Sequence, residues 1–149
     1  MDEIDVQIIQ LLQVDGRMSI SALADKISLS RPSVHERVQR LQESGVIEGY
    51  SANVSPQAVG RELLVMIELS SLRVPIAEFE DYVAEHAPEV IQCYKATGHV
   101  HYYMKAALNG MNELTRLIEN LSPFGDTRTS ILLEATIDKR VILPQTFNE

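Results

Sequence analysis

Between Ser30 and Arg40 the chain reads SRPSVHERVQR, and its polar side chains are of the kinds that meet nucleic acid. Arg31, Arg37 and Arg40 can pair with phosphates or guanine edges, while Ser30, Ser33 and His35 are small or donor-bearing, as entry into a groove demands. Glu36 is the one acid among them and is expected to turn to solvent. The alternative is an amphipathic helix whose arginines only solvate its outer face. A second group, Gly98-His99-Val100-His101-Tyr102, places two histidines two residues apart. In extended chain they share a face and can chelate a metal. No third ligand is obvious, since Cys93 and His86 approach only if the fold brings them near, so no metal site is expected. Surface histidines at an assembly contact are the plainer reading, and titration near neutrality offers a further role. No Gly-rich phosphate loop, Ser-His-Asp order or paired-carboxylate arrangement stands out. Neither an enzyme nor a cofactor is expected.

Three short helices must position the first group. Ile4, Ile8, Leu11 and Leu12 follow helical spacing after Asp2, a cap candidate, and Gly16 marks the stop. Ile20, Leu23, Ala24 and Ile27 form a second stripe, capped by Ser19 or Ser21. After the short turn Ser28-Leu29, Ser30 is a strong N-cap and Pro32 falls in the first turn, where its missing N–H costs no helix bond. Val34, Val38 and Leu41 form the buried stripe, and Gly45 suits a left-handed stop. The turn between the second and third helices is short enough for a helix-turn-helix crossing. VIEGYSANV then reads as extended structure.

The pattern changes after Ser55–Arg61. ELLVMIELS alternates, and Pro75 starts a helix carrying Ile76, Phe79 and Val83 that Pro88 ends. VIQCYKAT and HYYMKAAL read as strands around Gly98, with Cys93 as a small core residue. MNELTRLIENLS is helical, and TRTSILLEATID closes as a strand with Thr129, Ile131, Leu133, Ala135 and Ile137 on one face. The order βαββαβ is the ferredoxin-like arrangement. The predicted class is α+β, a helix-turn-helix followed by a ferredoxin-like domain. Its boundaries are 1–54 for the helical unit, 55–61 for a linker, 62–138 for the ferredoxin-like domain, and 139–149 for an unplaced tail.

Net charge by itself argues against DNA binding. The 149 residues carry a formal charge of −8, and residues 1–60 hold five basic against eight acidic side chains. From Lys26 to Gln42, however, four bases face one acid, a locally basic face that can bind phosphate with help from oligomerisation. No signal-peptide layout opens the chain, no apolar run approaches membrane-spanning length, and a lone cysteine suits a reducing compartment, so a cytoplasmic protein is expected.

Taken in order, DEIDVQIIQLLQVDGRMSISALADKISLS, RPSVHERVQRLQESGVIEGYSANVSPQAVG, GHVHYYMK and TRTSILLE resemble the Lrp/AsnC, or feast/famine, regulators over nearly the whole chain. The resemblance implies a DNA-binding winged helix-turn-helix at 1–54, with its recognition helix at Ser30–Arg40. It implies that 62–138 is a dimerisation and effector domain, which pairs through its sheet, often assembles further into octamers, and senses small amino acids. It places an effector loop at Gly98, His99, Val100, His101 and Tyr102, with Thr127 and Thr129 as a polar pair beside it. The family's loop runs close to Gly-Asp-Tyr-Asp-Tyr, so both acids are histidine in this chain, and an amino acid's ammonium loses its carboxylate partner. The predicted function is therefore a transcriptional regulator binding pseudo-palindromic double-stranded DNA as an oligomer, its effector atypical or absent. A DNA-wrapping architectural protein is the second reading. A metabolite-binding protein or small enzyme, disfavoured by the basic helix-turn-helix face, is the third.

Overall fold

Helix formation begins at the second residue. The Asp2 carboxylate accepts the Asp5 N–H at 2.9 Å and the Asp5 carboxylate accepts the Asp2 N–H at 3.1 Å, a reciprocal capping box that starts α1 (Glu3–Val14). Ser19 caps α2 (Ile20–Ile27), with its hydroxyl accepting from the Ala22 N–H. Ser28, in the left-handed region at φ 55°, makes the turn, and Ser30 then caps α3 (Arg31–Glu43). Gly45 follows at φ 73°, the conformation its type suits. Ile8, Leu23 and Val34, one from each helix, are fully buried at the centre of this three-helix core.

The computed structural model describes residues 1–145, which divide into Met1–Asn53 joined by the segment from Ile137 onward, and Val54–Thr136. Two sequence expectations change in the first unit. Residues 46–54, expected as an extended wing, carry no strand. A wing needs a returning partner, and the chain instead enters a 3-10 turn at Gln57–Val59. The tail, left unplaced by sequence, also belongs here in its described part. The Gln13 side-chain amide donates to the Ile142 carbonyl at 2.7 Å, and its oxygen accepts the Ile142 N–H at 2.9 Å. One side chain thus satisfies both backbone groups of a residue as a neighbouring strand would.

The second unit contains β1 (Leu63–Ser70), α4 (Ile76–His86), β2 (Val90–Lys95), β3 (Val100–Leu108), α5 (Met111–Leu121) and β4 (Asp126–Ile131). The sheet order is β2-β3-β1-β4 with every neighbouring pair antiparallel, as the ferredoxin-like pattern predicts. Val65, Ile67 and Leu69 of β1 and Tyr102, Met104 and Ala106 of β3 form the buried face with Phe79, Val83, Leu114, Leu117 and Leu121 of the helices. Gly125 enters β4 so close to β1 that a Cβ would meet the Ser70 carbonyl oxygen at 2.5 Å.

Three details correct the sequence reading. β4 stops at Ile131, opposite Val65, with one further bond from the Leu132 N–H to the Leu64 carbonyl at 2.9 Å; Leu133 is 94% exposed, and Ala135 and Ile137 lie outside the strand. Ile76, expected to align with Phe79 and Val83, stands at the helix start and is exposed. Cys93 is exposed on β2, the sheet's edge, rather than buried in the core. Among the described residues no helix is long and apolar enough to cross a membrane.

Phe79 is the hub of the second core, its ring 4.6 Å from Tyr102 and 5.7 Å from Phe124. Phe79→Ala is expected to cost about 3–5 kcal/mol by lost transfer energy and cavity formation. Urea denaturation followed by near-ultraviolet circular dichroism measures it; a loss below about 1 kcal/mol would mean that the site collapses around the gap.

Candidate nucleic-acid interface and ligand region

At 100° per residue, the buried stripe Val34–Val38–Leu41 divides the rest of α3 into two flanks. Arg31 and His35 lie one turn apart on one flank and are exposed. Ser33, Arg37 and Arg40 lie on the other. Ser30 sits at the open N-terminus, with its hydroxyl accepting the Ser33 N–H at 3.4 Å. Short polar side chains, the Arg31 N–H and the exposed Arg31 side chain therefore gather at one end of the helix, where backbone dipoles favour an anion.

Arg37 and Arg40, expected from sequence at the DNA surface, have a different immediate role. Arg37 Nη1 donates to Asp2 at 2.7 and 2.8 Å and to Asp5 Oδ1 at 2.8 Å. Arg40 Nη2 donates to both Asp5 oxygens at 3.1 Å. Arg37 keeps 23% side-chain exposure and Arg40 59%, whereas Asp5 is 2% exposed and is the buried charged residue of the described chain. The reason is electrostatic: a carboxylate removed from water must be paired, and the arginines one turn apart on α3 supply the charge. The Asp5 N–H holds Asp2 below the ordinary carboxyl value of 3.8, with Arg37 adding to the effect. Burial opposes ionisation of Asp5, but the Asp2 N–H and Arg37 outweigh it and hold that carboxyl low as well.

The proposed effector residues do not converge within one chain. Gly98, at φ 107°, and His99 are exposed in the β2–β3 loop. Val100 pairs with Ser70 and Tyr102 with Leu69, so His101 is the extra residue of a bulge. Its carbonyl accepts the Ala96 N–H at 2.8 Å, while its Nδ1 is buried with no partner among the described residues. Tyr102 is a core residue: its ring packs on Phe79 and its hydroxyl donates to Glu80 at 2.7 Å. Burial first, and then Glu80, pushes its phenol far above the ordinary range.

Thr127 and Thr129 pair with Leu69 and Ile67 on the far side of β1. With β1 between them, they stand about 10 Å across the sheet from β3, not beside the loop. Sequence reasoning also missed Glu80, which takes Tyr102 and Lys95 together and lines a groove of about 430 Å³ between α4 and β2 with Val83, Val90 and Cys93. Burial raises the Cys93 thiol, with Glu80 adding to it, the opposite of an activated nucleophile. Among the described residues no cluster of three potential ligands can hold a metal, and His86 instead stacks on Tyr82.

Residues 1–42 match the AsnC-type helix-turn-helix domain, and residues 62–142 match the Lrp/AsnC ligand binding domain. The HTH-type transcriptional regulator LrpA of Mycobacterium tuberculosis is 31% identical over 146 residues, covering 97% of each chain. The structure of Bacillus subtilis LrpC superposes with a TM-score of 0.87 at 29% identity, over 93% of this chain and 99% of that one. A transcriptional regulator from Neisseria meningitidis, solved as a complex with L-Met, superposes at 0.85 with 26% identity, over 95% and 96% of the two chains.

The lowered Asp2 and Asp5 values give acid stability a definite sign. Each group binds fewer protons folded than unfolded, so its stabilisation is complete well above 3.8 and is lost as pH falls through the folded values. The melting temperature of the helical unit should therefore hold through neutral and mildly acidic solution and drop steeply below about pH 4. Arg37→Ala should flatten that acid limb while lowering stability at neutral pH. An acid limb of undiminished depth in the variant would remove the clamp as its cause.

Proposed function

The chain belongs to the Lrp/AsnC family of DNA-binding transcriptional regulators, and from that premise we propose where and in what form it meets DNA. It is a regulator, not an enzyme. We assign DNA binding to residues 1–54, linkage to 55–61 and dimerisation with effector binding to 62–138. The observation that carries the reading is the α2–Ser28–α3 turn with the N-terminal end of α3 left exposed. Ser30, Ser33 and Arg31, through its N–H and its guanidinium, take phosphate, and His35 reaches base edges in the major groove. Arg37 and Arg40 stand behind this edge and hold it in place.

One such helix binds weakly, and an acidic protein adds little long-range attraction. Two copies joined through the open sheet face, where Leu64, Met66 and Tyr103 lie opposite the helices, present two helices to pseudo-palindromic half-sites about 34 Å apart. Further assembly, up to an octamer, follows the family pattern. Action on chromosomal DNA and a lone cysteine together favour the cytoplasm. Footprinting on genomic fragments tests the DNA reading. Arg31→Ala should weaken protection and reduce the salt slope by about one unit. Full protection with an unchanged slope would place DNA on another surface.

The effector is atypical. A related regulator is solved with L-Met, but His99 and His101 stand here where the family pattern has acids, and Tyr102 is committed to the core. Without a carboxylate in the loop, an ammonium group stays hydrated rather than bound. Calorimetric titration with the twenty amino acids is expected to give no heat of binding for the neutral ones at millimolar concentration. Saturable binding that survives His101→Ala would show that the ammonium has another partner.

A further inference from the structure

We propose that Asp5 sets the DNA specificity of this regulator by withholding two of the three arginines of α3 from the phosphate backbone. The inference rests on the reading that the N-terminal end of α3 meets DNA. Arg31, Arg37 and Arg40 are the cations of that helix. Two of them end on Asp5, and Arg37 also ends on Asp2. The four side chains carry two positive and two negative charges, so the cluster presents no net charge to a phosphate.

Exposure alone would leave Arg40 available, since its other donors face solvent. Charge decides otherwise. Sequence-independent affinity comes from releasing the counterions of phosphates that the protein neutralises, and a guanidinium already neutralised by Asp5 releases none. Pulling Arg40 or Arg37 across to a phosphate would strand a buried carboxylate, a far worse loss than one solvated phosphate contact gains. Asp5 is itself held by the Asp2 N–H, so the clamp is anchored to the backbone of α1 and cannot follow an arginine toward DNA. The outcome is a helix whose sequence-independent attraction is limited to Arg31 and the capping serines Ser30 and Ser33, while His35 beside them remains free to read bases. Asp5 is thus a positioning residue that lowers background affinity and leaves discrimination to the groove contacts.

The experiment uses the full chain and fluorescence anisotropy on a mixed-sequence duplex, titrated from low to moderate salt. Asp5→Asn should keep its helical circular dichroism, bind the mixed duplex more tightly at low salt, and steepen the log K against log salt slope by about one to two units, roughly 0.9 for each arginine released to a phosphate. Adding Arg40→Gln to Asp5→Asn should reverse about one unit of that change. In the otherwise unaltered protein, Arg40→Gln should leave the slope where it was, a measurement that stands even if Asp5→Asn fails to fold. A folded Asp5→Asn with an unchanged or shallower slope overturns the proposal, as does a slope reduced by Arg40→Gln alone. Arg31→Gln separates the two readings: if it leaves the slope unchanged, α3 is not the DNA surface and the premise itself has failed.

Discussion

A carboxylate cut off from water must find positive charge within the protein, and Asp5 is that carboxylate. Its two oxygens gather the guanidinium groups of Arg37 and Arg40 from α3 and the backbone N–H of Asp2 from the start of α1. The same four groups therefore begin the first helix and fix the third against it. Apolar packing among Ile8, Leu23 and Val34 is non-directional and tolerates small rotations of a helix about its axis. The ionic clamp does not, because each bond is directional and the buried charge makes its loss expensive. The angular setting of α3, and with it the edge that Arg31 and His35 present, follows from this contact.

The second unit shows a comparable economy around β1. This central strand pairs with both β3 and β4, buries Val65, Ile67 and Leu69 beneath the helices, and turns Leu64 and Met66 to the other side. The entry into β4 requires Gly125, since a side chain there would collide with the Ser70 carbonyl. On the buried side Phe79 locks Tyr102, whose hydroxyl is held by Glu80. That commitment seats Tyr102 in the core of the second unit. The bulge at His101 and the exposed Gly98 and His99 remain at the sheet's end, without the acids that would hold an ammonium group.

Most of the architecture was legible in the sequence because it rests on short-range rules. Ser19 and Ser30 as caps, Pro32 in a first turn and Gly45 in the left-handed region depend only on immediate neighbours. The period of two in β1 and the period of 3.6 in α5 predicted their buried faces, since a face must be apolar to be covered. The order of elements then led to the ferredoxin-like sheet, and the ordered motifs to the family.

Contacts between residues far apart in the chain were not legible. The pattern Asp2-x-x-Asp5 announces a cap, yet nothing local says that its carboxylates also hold guanidinium groups 32 to 35 residues away. The local basic run at Lys26–Gln42 suggested three arginines for DNA, and only the packing of α1 on α3 revealed that two are neutralised. The resemblance places Thr127 and Thr129 beside the loop, and only the strand order shows β1 between them and β3. β4 likewise ends at Ile131 although its alternating residues run on to Ile137, because alternation marks a face and not the length of chain that a neighbour pairs. Sequence by itself determined the elements, their buried faces and the family, because propensity and periodicity act over a few residues. Tertiary structure alone decided which charges remain free, because neutralisation depends on what the fold brings within bonding distance.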